Sequence, residues 1–325
     1  MRPRVFITQP VSASALERLQ AVADVTSDRD ASRILARADL LAGVRSHDYL
    51  FCLLHDTIDA EVIAANPALR LIASMAIVPA NIDVAAATVR RIPVTVIPAV
   101  VTEATADLTW ALLLAVARRV LEGDRLVRAG KFPGSQSSYL EGRYVSGKTV
   151  GIVGAGRVGQ AVARRASGFG MRVLYHDPRR LPPHEEESRR MTFVPLDRLL
   201  ADADFVCVHP SYGPETHHLI DARALALMKP SAYLINTSRG PVVDEKALAA
   251  ALARGAIAGA GLDVYEHEPH PEPALLTLTN VVLTPHLGSA VGELREEMHH
   301  IVVDNITAVI EGRRPPHCVN PEVYG

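Results

Sequence analysis

Short apolar runs alternate along this chain with longer stretches whose apolar residues recur every three or four positions. In the first hundred residues the runs at 4–8, 49–54, 69–75 and 94–97 predict strands. The stretches at 12–23, 31–38, 60–65 and 83–91 predict helices, with Leu16, Leu19 and Ala23 marking one buried face of the first. A long helix is expected at about 102–129. It opens on Thr102, Glu103 and Asp107, which suit a helix N-terminus, and stops at Gly130. Its near-continuous apolar stretch from Leu108 to Val116 requires cover from a domain or a subunit. A loop rich in Gly, Pro and Ser is expected at 131–143. A second series of strands follows at 149–153, 172–176, 205–208, 233–236, 260–264 and 281–284, and the final helix is expected at 292–310. Strands alternating with helices read as α/β architecture with parallel strands.

Composition narrows the function without naming it. A chain of 325 residues suggests two domains. Lys+Arg 34 against Asp+Glu 36 leaves a net charge of -2, which excludes a strong electrostatic case for nucleic acid or an anionic membrane. Three scattered cysteines (Cys52, Cys207 and Cys318) suggest a reducing cytoplasm rather than a disulfide framework. No apolar run has the length of a membrane span, and the first ten residues read as a strand rather than a leader.

The strongest local signal is Gly154-Ala155-Gly156-Arg157-Val158-Gly159. A bare GxGxxG is as often an ordinary turn, but here a strand precedes it and a helix follows. Gly154 would make the tight turn, Gly156 would let backbone approach a pyrophosphate, and Gly159 would permit close helix–strand packing. The helix N-terminus then offers free N–H groups to the phosphates. Asp177 ends the next strand, where a ribose-binding acid belongs, and favours NAD over NADP. Arg179 and Arg180 keep NADP possible; a solvated loop is the preferred reading of both.

With these residues in view the chain resembles the D-isomer-specific 2-hydroxyacid dehydrogenase family over nearly its whole length, closest to its glyoxylate/hydroxypyruvate reductase-like branch. The segments that carry the likeness are TADLTWALLLAVARR (105–119), 150–159, NTSRGPVVD (236–244), GLDVYEHEP (261–269) and TPHLGS (284–289). The resemblance implies a doubly wound parallel-sheet (Rossmann) cofactor domain, residues 99–286, inserted into a smaller flavodoxin-like α/β substrate domain, residues 1–98 plus 287–325. It implies a cleft between them that closes on the substrate. It implies a homodimer, for which the helix around 102–129 suits the seam.

It also implies a catalytic trio of Arg239, Glu268 and His286. The chemistry needs these residue types. Reducing a 2-oxo acid requires a hydride at the carbonyl carbon and a proton at its oxygen. His286 can donate that proton, Glu268 beside it would favour the imidazolium, and Arg239 offers a planar fork for the substrate carboxylate. Each alone reads more often as a structural or solvated residue; together with the glycine loop they do not. Further cofactor contacts carried over from the family are Arg157, Val158, Thr216, Thr237, Asp263 and Gly288.

Two segments depart from the family pattern. The loop expected to hold the substrate carboxylate, through Ala76, Ile77 and Val78, has lost its glycines and contains Pro79, which has no N–H. At Ser211-Tyr212 the family more often has Pro-Leu, so Tyr212 is either a ring over the cofactor or a surface ring. Tyr144 and Lys148 fit a Tyr-x-x-x-Lys pattern by coincidence of position. The histidines at 217–218, 267, 270 and 299–300 lack the partners of a metal site, and no metal is expected. Two alternatives stand beside the reductase reading: a phosphite dehydrogenase, disfavoured by Ile77 where that enzyme carries a lysine, and a dinucleotide-sensing protein on the same fold. Turnover separates the last from an enzyme.

Overall fold

The structure is a computed structural model and describes residues 2–325. The chain divides into two compact units, Met1–Val100 with Val291–Gly325, and Val101–Ala290. Both boundaries lie a few residues beyond those expected.

The first unit begins with β1 (Arg4–Ile7), α1 (Ala13–Val22), β2 (Asp24–Ser27), α2 (Arg37–Ser46) and β3 (Tyr49–Cys52). It continues with α3 (Ala60–Ala64), β4 (Leu71–Ser74), α4 (Val84–Val89) and β5 (Val94–Thr95). Its five strands are parallel in the order β2-β1-β3-β4-β5, the flavodoxin-like order. Strands β3 and β4 are buried at every position, as strands covered on both faces must be. The helix expected at 31–38 does not form there. Asp28 and Asp30 turn the chain through side-chain bonds to Asp30 N and Ser32 N, and helix begins at Arg37. In the loop after β4, Ala76 donates its N–H to Ser74 Oγ (3.1 Å) and accepts from Ile97 N, so that amide is bound within the unit.

The second unit opens with α5 (Thr102–Ala117) and α6 (Val120–Arg128). The single helix expected at 102–129 is thus two. Arg119 adopts a left-handed backbone, φ 53°, between them, and Arg119 N–H still reaches Val116 O. Helix α5 finds its cover within its own unit. Trp110 stacks on Phe169 at 4.6 Å and donates to Val162 O, while Leu112, Leu113 and Val116 are buried. The exposed apolar residues lie further along, at Val120, Leu121, Val127 and Phe132.

Next come β6 (Thr149–Val153), α7 (Arg157–Ala166), β7 (Arg172–His176), α8 (Pro183–Arg189), β8 (Met191–Phe193) and α9 (Leu196–Asp202). Then follow β9 (Phe205–Val208), α10 (Ala222–Leu227), β10 (Tyr233–Asn236), α11 (Glu245–Ala253), β11 (Gly259–Leu262) and β12 (Val281–Leu283). The parallel sheet runs β12-β11-β10-β9-β6-β7-β8, a doubly wound order that reverses between β6 and β9. Ligands in such sheets bind beyond the carboxyl ends at that reversal. Apolar clusters cover both faces of the sheet, one with α9, α10 and α11, the other with α5 and α7.

The chain returns to the first unit as α12 (Gly292–Ile310), packed on α1 and β4. Its tail pins β5. Asn320 Oδ1 accepts from Val94 N (2.7 Å), Asn320 Nδ2 donates to Ile92 O (2.9 Å), and Cys318 bridges Thr95.

Candidate active site

Strand register places the site residues in one layer. Val153 pairs with Val208, Val208 with Asn236, and Asn236 with Leu262. The next residues, Gly154, His209, Thr237 and Asp263, therefore stand side by side at the carboxyl end of the sheet.

Gly154 turns with φ +90°, and a Cβ there would lie 2.6 Å from Pro210 N. A side chain would drive the loop off its neighbour. Helix α7 follows, capped by Gly156, with no side-chain cap bond and no acid in its first turn. No side chain caps its first N–H groups, at Arg157, Val158 and Gly159, and the helix dipole favours an anion there. Asp177 closes the layer's other side: its Oδ2 accepts from Ala155 N and its Oδ1 from Arg179 N, each at 2.9 Å. Arg180 points elsewhere. It forms a two-pronged pair with Glu186 at 2.8 and 2.9 Å, and Tyr175 Oη adds a bond to the same carboxylate. These contacts hold the Glu186 carboxyl down at about 2.

His209 has both ring nitrogens buried without a hydrogen-bond partner. Burial pushes the imidazole down to about 3, so it is neutral at ordinary pH. Buried polar atoms of this kind call for a ligand or a water. Beside the uncapped amides of α7 and the carboxylate of Asp177, they fit a dinucleotide lying along the loop.

The trio sits on the loops after β10, β11 and β12. Asn236 shapes the first: its Oδ1 accepts from Ser238 N and its Nδ2 donates to Arg239 O. Arg239 Nη1 donates to Ser238 O at 2.6 Å. Solvent reaches the side chain, yet the surrounding protein lowers its pKa while the Glu268 charge opposes the shift. His286 Nδ1 lies 2.8 Å from Glu268 Oε2, and Tyr265 N donates to Glu268 Oε1 at 3.1 Å. His286 itself has φ +55°, an uncommon backbone for a non-glycine residue.

Asp263 is what holds that backbone. Its Oδ1 accepts from Thr284 Oγ1 (2.6 Å) and Leu287 N (2.7 Å), its Oδ2 from Gly288 N (2.9 Å), and its carbonyl from His286 N (2.9 Å). Burial pushes its carboxyl up, and these donors pull it back. Thr237 Oγ1 meets Thr109 Oγ1 of α5 at 2.8 Å, and Thr105 Oγ1 donates to Gly288 O. Thr216 uses its hydroxyl locally, accepting from Gly213 N and donating to Ser211 O. Tyr212 is exposed and lies near His217.

Reading the sequence for motifs missed His209, whose orphaned nitrogens have no sequence signature. It also missed Glu245 and Glu266, which look like two surface acids until the loops fold together. Among the described residues no group of three or more His, Cys, Asp or Glu is arranged to hold a metal ion, and no helix is long and apolar enough to cross a membrane.

Comparison with known proteins agrees with this geometry. Residues 110–288 match the family model described as D-isomer specific 2-hydroxyacid dehydrogenase, NAD binding domain. The glyoxylate reductase of Thermococcus litoralis is 45% identical over 327 residues, covering 99% of this chain and 98% of that protein. A crystal structure of a Thermus thermophilus protein superposes with a TM-score of 0.89 at 45% identity, covering 97% of this chain and 99% of that one. The NADPH-dependent glyoxylate/hydroxypyruvate reductase of Sinorhizobium meliloti, solved with NADP and malonate, gives a TM-score of 0.79 at 33% identity, covering 98% and 97%. With the glycine loop, the strand-end acid and the Glu268–His286 pair on one sheet edge, the chain belongs to the D-isomer-specific 2-hydroxyacid dehydrogenase family.

Proposed function

We propose that this protein reduces small 2-oxo acids, glyoxylate foremost and hydroxypyruvate next, to the D-2-hydroxy acid. The observation that carries the reading is the 2.8 Å contact between Glu268 Oε2 and His286 Nδ1 at the carboxyl end of the doubly wound sheet. Relatives about 45% identical over the full chain are named glyoxylate reductase, which supports the choice of acid.

Bound NAD(P)H supplies the hydride; the residues do the rest. Arg157, Val158 and Gly159 offer amides to the diphosphate. Thr237, Asp263 and Gly288 border the place assigned to the nicotinamide, and Thr216 supports the nearby turn. Arg239 grips the substrate carboxylate and draws charge from the carbonyl oxygen. With Nδ1 turned to Glu268, His286 Nε2 is the atom assigned to hold the transferable proton. Glu268 orients the ring, the carbonyl oxygen takes that proton from Nε2, and in reverse the neutral ring accepts it.

NADH is the proposed preference. The Asp177 carboxylate repels a 2′-phosphate, and Arg180 is already engaged by Glu186. We further propose a homodimer built on α6 and the segment after it, where Val120, Val127 and Phe132 expose apolar surface. A cytoplasmic location suits three cysteines that form no disulfide among the described residues.

The test is a screen of NADH and NADPH with glyoxylate, hydroxypyruvate, pyruvate and bulkier oxo acids, run on wild type and His286→Ala. Glyoxylate turnover that vanishes in the variant while NADH still binds is expected. A variant that turns over like wild type removes His286 from the chemistry.

A further inference from the structure

The loop that presents Glu268, residues 266–272, cannot hold itself. Pro269 and Pro271 remove two backbone donors, and an internal bond runs from His270 N to His267 O at 2.7 Å. What grips it is a buried carboxylate from another element. Glu245, the first residue of α11, is 4% exposed. Its Oε1 accepts from Glu266 N and its Oε2 from Glu272 N at 2.9 Å, so one side chain takes an N–H from each base of the loop.

The grip is returned. Glu245 N donates to Glu266 Oε1 at 2.8 Å, and His218 Nε2 lies 2.9 Å from Glu266 Oε2. His218 N in turn donates to Pro241 O, two residues beyond Arg239. Capping α11 does not explain Glu245. That task falls to Asp244, whose Oδ1 accepts from Ala247 N. Nor does burial recommend a carboxylate, for it pushes the Glu245 carboxyl up.

We propose that Glu245 is a positioning residue for the reaction: by holding both bases of the 266–272 loop it fixes Glu268 against His286. The inference rests on the reading of Glu268 and His286 given above. Residue 266 is next to Tyr265, whose N–H holds Glu268 Oε1, so a shift at that base moves both the backbone and the carboxylate of Glu268. A displacement near 1 Å in such a contact lowers rate by about 100-fold.

The experiment measures kcat and KM for glyoxylate separately, NADH affinity by fluorescence, and Tm, for Glu245→Ala, Glu245→Gln and Glu272→Pro. Glu272 has φ -53°, which proline accepts; the substitution deletes one donor and sets the ring Cδ against Glu245 Oε2, so it breaks that grip while residue 245 is unchanged. In Glu245→Ala, kcat/KM falls about 10- to 100-fold, the loss lies in kcat rather than KM, and NADH affinity holds. Glu245→Gln, which retains one acceptor, recovers part of the rate, and Glu272→Pro repeats the loss of kcat. Should Glu245→Ala fail to fold, Glu272→Pro decides alone. A folded variant that keeps wild-type kcat, or whose loss lies in KM or NADH affinity alone, overturns the positioning role. If wild type is active and His286→Ala dead, that result sinks this inference only. If His286→Ala keeps wild-type turnover, the catalytic reading and the inference fall together.

Discussion

A single methyl group at position 240 tests whether the Arg239 and Glu268 loops work as one unit. A Cβ built on Gly240 lies 1.8 Å from the carbonyl carbon of Tyr265 and 1.9 Å from its oxygen. Ordinary contact begins near 3.4 Å, so Gly240→Ala must part the two backbones by about 3.4 − 1.8 = 1.6 Å. Neither backbone has slack. Arg239 O is held by Asn236 Nδ2, and Tyr265 Oη donates to Thr284 O. Gly240 follows Arg239 directly, and Tyr265 N–H orients Glu268. The separation therefore falls on the distance between guanidinium and imidazole. Ordinary overpacking costs about 1–3 kcal/mol of stability and a collision with backbone costs more, so Tm is read beside the rate; misplacing reactive groups by more than 1 Å costs about 100-fold or more in rate. The assay is NADH oxidation with glyoxylate, alongside NADH binding, which depends on a different loop. Loss of kcat/KM with retained binding is expected. A variant close to wild type in kcat/KM would show that the two loops move independently and that their contact is incidental.

Other expectations concern the buried imidazole and the cofactor. His209 is held neutral with a pKa pushed down to about 3, while the unfolded chain protonates it near 6.5. The unfolded state thus binds the extra proton between those values, and stability falls as pH drops through that window. At about 1.4 kcal/mol per unit, the loss from pH 7 to pH 5 is at most about 2 kcal/mol, and His209→Leu loses less over the same interval in denaturant melts without nucleotide. Equal acid sensitivity would mean that the ring finds a partner in solution. Asp177→Ser removes the carboxylate that repels a 2′-phosphate, and the NADPH/NADH ratio of kcat/KM rises by about tenfold, worth about 1.4 kcal/mol; an unchanged ratio would assign cofactor choice to the arginines.

Much of this was legible because it is carried by local pattern. The glycine loop, the strand before it and Asp177 at the next strand end all follow from spacing, and the apolar strands of both sheets follow from run length. Three things were not. Strand β2, with the sequence Asp-Val-Thr-Ser, and β8 are short and half polar, and pairing rather than propensity makes them strands. The break at Arg118–Arg119 is invisible because neither residue is a helix breaker; at the left-handed turn Ala117 O is taken by Arg143 N, a partner 26 residues away. The partners of Glu245 lie 21 and 27 residues away, and no periodic pattern joins them. Asp263 was legible as a site residue, yet its part in shaping the His286 turn depends on three donors that only the fold assembles.

The strap from Asn320 and Cys318 onto β5 sets an order of assembly during synthesis. The second unit is one uninterrupted segment and has all its strands as soon as residue 290 has left the ribosome. The first unit has its five strands early, but the polypeptide that caps its outer strand is made afterwards. Nascent chains therefore pass through an interval in which β5 shows an open hydrogen-bonding rim, the kind of edge that recruits stray strands. Emergence of residues 318–320 is what seals it.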